Sequence, residues 1–271
     1  MSFLSKTYFP KHSDNFMSSE GDLIRARSHF FNNKPSNLLF LLKKRYEWMT
    51  KYIEDKEKVY ELGCGAGFSK YFITNTNLCL TDVSQNKWVD KNIDALNLPF
   101  DENSVDVFIC SHMIHHLANP YTFLNDALKA LKVGGLIVIS EVNTSFALRF
   151  LLRLMRHEGW SYDINVFSPD QICNEASDPW SANCCIPQML FKDIKKFQRE
   201  FKNCKIIHKK LTEFLIFPLS GGVIAKTKTI NLPLFLLKLI DYIDKILIRI
   251  SPALFPLGME VVIQKTSEND N

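Results

Sequence analysis

The stretch VYELGCGAGFSKYF, Val59 to Phe72, joins a short apolar run to a helical pattern through a glycine-rich loop. Glycine has no Cβ, so the loop Gly63 to Gly67 lets its backbone approach a bound molecule closely. Loops of this kind hold nucleotide phosphates, dinucleotides or other adenosine-bearing cofactors. The spacing of the glycines and the residues that follow decide between these three classes.

Short apolar runs alternate with helical patterns along this part of the chain, after a lead-in helix that runs from Ser36 to about Asp55. The predicted strands are KVYEL (58–62), LCLTD (78–82), VDVFICS (105–111) and LIVISEV (136–142), followed later by CKIIHKK (204–210) and MEVVIQK (259–265). The predicted helices are Phe68–Asn75, Gln85–Lys91, Pro120–Lys132, Phe146–Arg156, Gln188–Phe201 and Leu234–Ile250. This alternation predicts an α/β fold with a doubly wound, Rossmann-like sheet, whose ligand lies at the carboxyl ends of the strands.

The glycine spacing disfavours two of the three cofactor classes. A phosphate-binding P-loop needs lysine after its last glycine, but Gly67 is followed by Phe68. A dinucleotide fingerprint is Gly-x-Gly-x-x-Gly, whereas the loop reads Gly63-x-Gly65-x-Gly67. Glu61, just before the loop, would repel a pyrophosphate and attract an ammonium group. Asp82 ends the second strand and is placed to accept hydrogen bonds from ribose hydroxyls, a feature that NAD sites share.

Six motifs in a fixed order carry a resemblance to a known family. They are E-L-G-C-G-A-G (61–67), the strand-end Asp82, D-A-x-x-L-P-F (94–100), S-V-D-V-F (104–108), I-H-H-L (114–117) and L-K-V-G-G-L-I-V-I (131–139). Over about residues 40–145 the chain resembles class I S-adenosylmethionine (SAM)-dependent methyltransferases, in particular the type 11 group that acts on small molecules. The resemblance implies a seven-stranded sheet in which the last strand, Met259–Lys265, is antiparallel and inserted beside the fifth.

The same resemblance implies SAM as the cofactor and a set of residues that bind it. These residues are Glu61, Gly63, Gly65, Gly67, Asp82, Val83, Asp94, Ala95, Leu96 and Ser111. In the family, the equivalent of Glu61 faces the amino group of the methionine portion and that of Asp82 holds the ribose. Asp94 then accepts from the adenine amine, and the backbone N–H of Ala95 donates to the ring. Val83, Leu96 and Phe100 either enclose the adenine or belong to the core.

Two histidines are candidates for catalysis. His115 and His116 follow the fourth strand near the expected position of the transferred methyl group, with His112 close by. An imidazole there can remove a proton from an attacking hydroxyl, or it can serve only to bond the local backbone. In-line methyl transfer also proceeds by alignment alone, so a base is optional. No metal site is expected, because the seven cysteines lack zinc-ligand spacing and His208, Cys184 and Cys185 match no standard site.

The chain divides into five predicted segments. They are an N-terminal lid segment 1–35, a SAM-binding core 36–145, a helical substrate-side cap 146–203, C-terminal strands 204–265 with a helical insertion 211–258, and a disordered tail 266–271. The start of the chain lacks a signal-peptide pattern, and no apolar run is long enough to span a bilayer. We therefore expect a cytoplasmic protein that is either soluble or peripheral at the inner face of the membrane. It is expected to be a monomer or a homodimer.

The acceptor must be recognised outside the resembling segment. Helices 146–156 and 234–250 combine basic residues with a wide apolar arc. This pattern suits binding to an anionic membrane surface or to a long apolar ligand. It equally suits packing of the helices as a lid or in a dimer interface. We expect O-methylation, ahead of N- or C-methylation, of a small molecule or of a saccharide or lipid-linked cell-envelope intermediate, as in polysaccharide biosynthesis. The alternatives are a soluble metabolite such as a quinone or natural product, RNA or another nucleic acid, and a non-catalytic relative of the fold. Nucleic acid is disfavoured, because the basic helix at 192–202 turns its aromatic residues to the opposite face.

Overall fold

The computed structural model describes residues 5–11, 22–178, 180–224 and 227–267. Parts of four predicted segments lie outside these ranges, namely residues 1–4 and 12–21 of the N-terminal lid segment, residue 179 of the cap, residues 225–226 of the helical insertion and residues 268–271 of the C-terminal tail. The predicted division of the chain into five segments stays a prediction.

A seven-stranded sheet organises the chain. Its strands are β2 Val59–Leu62, β3 Leu78–Asp82, β4 Lys91–Asn92, β5 Val105–Ser111, β6 Leu131–Val142, β8 Cys204–Thr212 and β9 Gly258–Lys265, while β1 Thr7–Tyr8 and β7 Trp160–Ser161 form a separate two-stranded sheet. The order across the large sheet is β4-β3-β2-β5-β6-β9-β8. Strand β9 is antiparallel to both of its neighbours, β6 and β8, and the other pairs are parallel. The predicted fold, with its last strand antiparallel and inserted beside the fifth strand of the large sheet, is confirmed.

Ten α-helices are assigned within the described ranges. They are α1 Leu23–Asn33, α2 Ser36–Glu47, α3 Thr50–Ile53, α4 Ser69–Phe72, α5 Pro120–Ala130, α6 Phe146–Met155, α7 Cys185–Phe191, α8 Ile194–Glu200, α9 Ile216–Ser220 and α10 Leu234–Ile250, and a short 3-10 helix covers Ile114–His116. The predicted single helix Gln188–Phe201 is wrong, because Asp193 has an extended backbone and its side chain caps a new helix by accepting the N–H of Lys196.

The predicted helix Gln85–Lys91 is also wrong. Its residues form turns that end in the edge strand β4, which pairs with Thr81 and Asp82 of β3. The carboxylate of Asp90 accepts the backbone N–H of Leu80 at 2.7 Å, so this segment is attached to the sheet edge instead of coiling above it.

Two apolar layers enclose the sheet because alternate strand residues point to opposite faces. Phe108 and Ile139 face one layer, in which α5, α7 and α8 bury their aromatic and leucine side chains. Val107 and Val138 face the other layer, which is covered by α1 and α2. The carboxyl ends of the parallel strands are left free to form a site, as the sequence predicts.

Helix α10 packs on α2 and α9 through a narrow inward face. Leu237 is buried there, Asp241 forms an ion pair with Lys44, and Asp244 accepts backbone N–H groups at the start of α9. Asp241 therefore lies inward, not on an exposed charged stripe with the lysines of this helix. Large apolar side chains occupy the outer surface: Leu234, Phe235, Leu239, Tyr242, Ile243, Ile246 and Ile250 are exposed.

The two-stranded sheet joins the N-terminal segment to the region that follows α6. Thr7 pairs with Ser161 and Tyr8 with Trp160. A Cβ built on Gly159 would lie 2.2 Å from the Phe9 ring and 2.5 Å from the Tyr8 carbonyl oxygen, so this close approach requires glycine. The pairing fixes the chain next to Glu158.

Candidate functional site

The glycine loop between β2 and α4 turns back on itself at the carboxyl edge of the sheet. Gly63, Gly65 and Gly67 all have positive φ angles, between 51° and 65°. A Cβ on Gly63 would lie 2.5 Å from Cγ of Met113, so glycine is required there on steric as well as conformational grounds. On Gly65 a Cβ would come only within 3.8 Å of a Leu23 methyl, so the backbone at this position borders open space.

Asp82, at the end of β3, holds this loop from the side. One carboxylate oxygen accepts the N–H of Gly65 and the other accepts the N–H of Ser84, each at 2.8 Å. Burial raises the pKa of Asp82, and these backbone hydrogen bonds oppose the increase. The carboxylate keeps free lone pairs on the cavity side, where it can accept further hydrogen bonds.

Glu61 lies beneath the loop and does not line the cavity, although the family resemblance implies that it faces the cofactor. Its side chain is 1% exposed and accepts a hydrogen bond from the hydroxyl of Ser69. Burial raises the pKa of Glu61 to about 8. Gly67 is also absent from the cavity wall, because its Cα packs against Trp88, Leu80 and Arg27.

Two residues outside the motifs cover the loop, Arg27 of the N-terminal helix α1 and Trp88 of the segment between β3 and β4. Trp88 donates its indole N–H to the carbonyl of Gly65 at 2.7 Å. Arg27 donates to the carbonyl of Ala66 at 2.6 Å, and its guanidinium stacks over the Trp88 ring. Loop carbonyls that would otherwise lack partners are thereby satisfied.

The remaining predicted cofactor residues line one side of a cavity of about 950 Å³. Val83, Asp94, Ala95, Leu96 and Ser111 all contribute to its wall, together with Gly63, Gly65 and Asp82. The Asp94 carboxylate is held by the N–H of Leu96 and the amide of Asn97. Phe100 belongs to the core, where its ring packs on Tyr60 and Phe108, and it does not line the cavity.

The opposite end of the cavity combines an apolar wall with buried charges. Leu148, Leu151, Leu152, Leu154 and Met155 of α6 form the wall, with Trp180 and Phe217 nearby. Arg45 and Glu213 face the same cavity as a buried pair joined by two hydrogen bonds of 2.8 and 2.7 Å. An acceptor at this end therefore meets both apolar and polar surface.

Both predicted catalytic histidines lie at this end, together with glutamates that sequence reasoning missed. The His115 Nδ1 lies 2.6 Å from the buried carboxylate of Glu141, at the end of β6. Its Nε2 lies 3.8 Å from Glu158, and the Nε2 of His116 lies 3.9 Å from the same carboxylate. The side chain of His112 faces the same cavity, 6.2 Å from the His115 ring.

Charge distinguishes the two rings. Burial by itself would lower the pKa of His115, but the adjacent Glu141 and Glu158 carboxylates raise it to about 10. Burial and the positive charge of His115 lower the pKa of His116 to about 4. Burial would raise the pKa of Glu158, yet hydrogen bonding and charge from His115 hold it well below its usual range. The end of the cavity thus presents one charged ring, one neutral ring and a carboxylate.

Of the missed residues, only Glu141 had a signal in the sequence. It ends the strand LIVISEV, and parallel strand ends meet at one edge. Glu158 follows α6 in a stretch with no recognisable motif. Its neighbour Gly159 forms a β-bridge with Asn183, whose N–H donates to the carbonyl of His115, and this brings Glu158 to the histidines.

The family comparisons agree with this geometry. A family model described as a methyltransferase domain matches residues 60–139. An uncharacterized protein of Methanocaldococcus jannaschii, MJ0638, is 30% identical over 104 residues, which cover 35% of this chain and 46% of that protein. Ribosomal RNA-processing protein 8 of Caenorhabditis elegans is 32% identical over 99 residues, which cover 34% of this chain and 27% of that protein. These matches span less than half the length of either relative.

Among solved structures, a SAM-dependent methyltransferase from Archaeoglobus fulgidus superposes with a TM-score of 0.47 at 19% identity. The superposition covers 83% of this chain and 93% of that one.

Proposed function

Because this chain carries a methyltransferase domain of the class I, SAM-dependent family, we propose that it transfers a methyl group from SAM to an oxygen atom of an acceptor with a polar end and an apolar body. The observation that carries the proposal is a single cavity that joins the glycine loop to a charged cluster and an apolar wall. One end offers the cofactor contacts, and the other has the mixed surface that such an acceptor needs.

The residues at the first end fit SAM. Asp82 is fixed by two backbone N–H groups and can accept both ribose hydroxyls. The open backbone at Gly65 leaves room for the methionine and ribose portions, and Asp94 with Ala95 lies where the adenine would sit. Glu61 supports the loop from below through its hydrogen bond with the hydroxyl of Ser69. Bound SAM supplies an activated methyl group on its sulfonium.

The protein's own contribution is to position the acceptor and exclude water. Arg27 of α1 and Trp88 of the segment before β4 close one side of the loop, and the leucines of α6 keep the far side apolar. The acceptor hydroxyl would lie against His116 and Glu158, whose nitrogen and oxygen atoms can accept its hydrogen. Alignment within a dry site contributes several kcal/mol to such a transfer, on the order of 7–11 in favourable cases.

We further propose that the acceptor is lipid-linked, or a saccharide carried on a lipid, and is met at an anionic membrane surface. Leu154 of α6 is 61% exposed and also lines the cavity, so this helix separates the cavity from the outside. The start of α6 is hydrogen-bonded to residues 253 and 254, just after α10, so the exposed apolar side chains of both helices lie on connected elements. Lys238, Lys245 and Arg249 of α10 are exposed beside that apolar surface, which complements anionic headgroups.

No helix within the described ranges is both long and apolar enough to cross a membrane. A surface-bound helix of this kind needs no span.

A nucleic-acid acceptor has less support. Basic residues are frequent between Lys192 and Lys210, but Phe191, Phe197 and Phe201 of this region are buried and offer no surface for base stacking. Lys209 is also engaged with the carbonyl of Phe191.

The proposal is tested by incubating the protein with methyl-labelled SAM and separate lipid, small-molecule and RNA fractions of a cell extract. We expect label in a lipid-extractable product. The label should stay on the acceptor as a methyl ether after mild hydrolysis. The variant Asp82→Ala, assayed at the same SAM concentration, controls for transfer that does not use this site. Label only in RNA would refute the acceptor class, and no transfer into any fraction despite SAM binding would refute the activity.

A further inference from the structure

Three side chains that commonly ligate metals converge at the acceptor end of the cavity. One donor atom from each of His115, His116 and Glu158 lies within 4.8 Å of the other two. The Glu158 carboxylate is the common neighbour, 3.8 Å from Nε2 of His115 and 3.9 Å from Nε2 of His116. The Nε2 of His157 lies 3.6 Å from the same carboxylate. These donors come from two separate parts of the chain, so their convergence is a property of the fold.

The outer nitrogens of both rings are held by hydrogen-bond acceptors. The Nδ1 of His115 contacts Glu141, whose carboxylate is fixed in turn by the backbone N–H groups of Ile114 and Val142 at 2.6 and 3.0 Å. The Nδ1 of His116 lies 3.1 Å from the carbonyl oxygen of Ser181, which can only accept, so Nδ1 carries the hydrogen. An imidazole that donates from Nδ1 presents its Nε2 lone pair, and carboxylate or carbonyl partners of this kind accompany most metal-ligating histidines.

The size of the site suits a small transition-metal ion. Zinc lies about 2.0–2.2 Å from imidazole nitrogen and carboxylate oxygen, so donors in a tetrahedral site are about 3.4 Å apart. The observed separations of 3.8 and 3.9 Å need only small side-chain rotations to reach that value. Two carboxylates, Glu141 and Glu158, flank the buried His115 ring, and a divalent cation at its Nε2 takes the place of the proton on that nitrogen in balancing their charge.

We propose that His115 Nε2, His116 Nε2 and Glu158 form a binding site for a divalent transition metal, with zinc as the best fit to two imidazoles and one carboxylate. The fourth position faces the cavity that the acceptor would enter. Metal binding does not depend on the proposed methyl transfer. The role of the open position, to receive an oxygen of the acceptor, does rest on that proposed function, and with metal bound it replaces the direct contact of the hydroxyl with His116 and Glu158.

The site is tested with untagged full-length protein, stripped with EDTA and dialysed against Zn²⁺. Metal analysis should give one zinc per chain, and Co²⁺ in its place should give visible absorption typical of a four- or five-coordinate site. His116→Gln and Glu158→Gln each remove one ligand and should weaken Zn²⁺ binding by more than about tenfold. His208→Gln is the matched control, because His208 also pairs with a glutamate, Glu260, but no third ligand joins them among the residues that the structure describes.

Two readouts separate loss of the site from loss of the fold and from failure of the proposed function. SAM affinity, measured by calorimetry, should stay unchanged in both ligand variants, since the SAM contacts lie at the other end of the cavity. Should a variant fail to fold, the Co²⁺ spectrum of the natural protein decides by itself. Less than stoichiometric zinc, a Co²⁺ spectrum of the free hexaaqua ion, or equal zinc affinity in His116→Gln would overturn the metal site. Stoichiometric zinc without methyl transfer to any acceptor would leave the metal site standing and refute the activity.

Discussion

Replacement of Asp82 by alanine should weaken SAM binding more than any other single change at the cofactor end. The carboxylate fixes Gly65 and Ser84 through two hydrogen bonds of 2.8 Å and keeps lone pairs for the ribose. Loss of a charge-assisted hydrogen bond to a ligand costs about 1.5–3 kcal/mol, which corresponds to roughly 10- to 160-fold in Kd. The loop also loses its anchor, so Asp82→Ala should lower the free energy of unfolding by a similar amount.

Isothermal calorimetry with SAM measures the first effect, and denaturant unfolding measures the second. Asp82→Asn keeps one carbonyl oxygen and should fall between the natural protein and Asp82→Ala. Asp101→Ala is the control, because Asp101 is exposed and lies outside the cavity wall. NAD should not compete. Equal SAM affinity in Asp82→Ala, or binding of NAD and not SAM, would show that this cavity end is not a SAM site.

Three further predictions concern other parts of the molecule. Glu61 has a folded-state pKa of about 8, above its unfolded value, so its contribution to stability is full in acid and lost as pH rises toward 8. In denaturant unfolding, the free energy of unfolding of Glu61→Gln should rise relative to that of the natural protein by up to about 1.4 kcal/mol per pH unit between roughly pH 5 and 8. A pH-independent difference would contradict this. Gly159→Ala would bring a Cβ within 2.2 Å of Phe9 and displace β1 from β7. The rate of methyl transfer should fall at least about tenfold, while SAM affinity stays unchanged. A parallel loss of methyl transfer and SAM affinity would contradict this prediction. The protein should co-sediment with anionic vesicles at low salt. The double variant Phe235→Asp and Leu239→Asp should abolish this binding, since both side chains are exposed on α10. No vesicle binding together with full activity on a water-soluble acceptor would leave only the interpretation of the two helices as a lid.

The sequence predicts the sheet well because its signals are local. Each strand of the large sheet except β4 contains a short apolar run, and the glycine loop with Asp82 depends on residues close along the chain. The predicted helix Gln85–Lys91 fails for a physical reason, because Trp88 and Asp90 make hydrogen bonds to the loop and to β3 that a helix would break. Tertiary contacts of two side chains there outweigh a helical pattern of seven residues.

The acceptor end could not be predicted in the same way, because its chemistry comes from segments that meet only in the fold. His115 and His116 follow β5, and Glu141 ends β6; these strands run parallel in register, with Ser111 opposite Ser140. Parallel neighbours place their carboxyl ends at one edge, so this half of the cluster follows from topology once the strand order is known.

Glu158 depends in addition on the turn after α6 and on the pairing of β7 with the N-terminal strand β1, which joins residues distant in the sequence. The N-terminal segment therefore does more than cover the cavity, since it fixes the chain next to the carboxylate that lies between the two histidines. The cofactor end depends on local motifs that the family model matches at residues 60–139. At the acceptor end, His115 and His116 fall within that range, whereas Glu141 and Glu158 fall outside it. Both carboxylates of the cluster thus come from segments that the family model does not match, and we expect these segments to determine which acceptor is methylated.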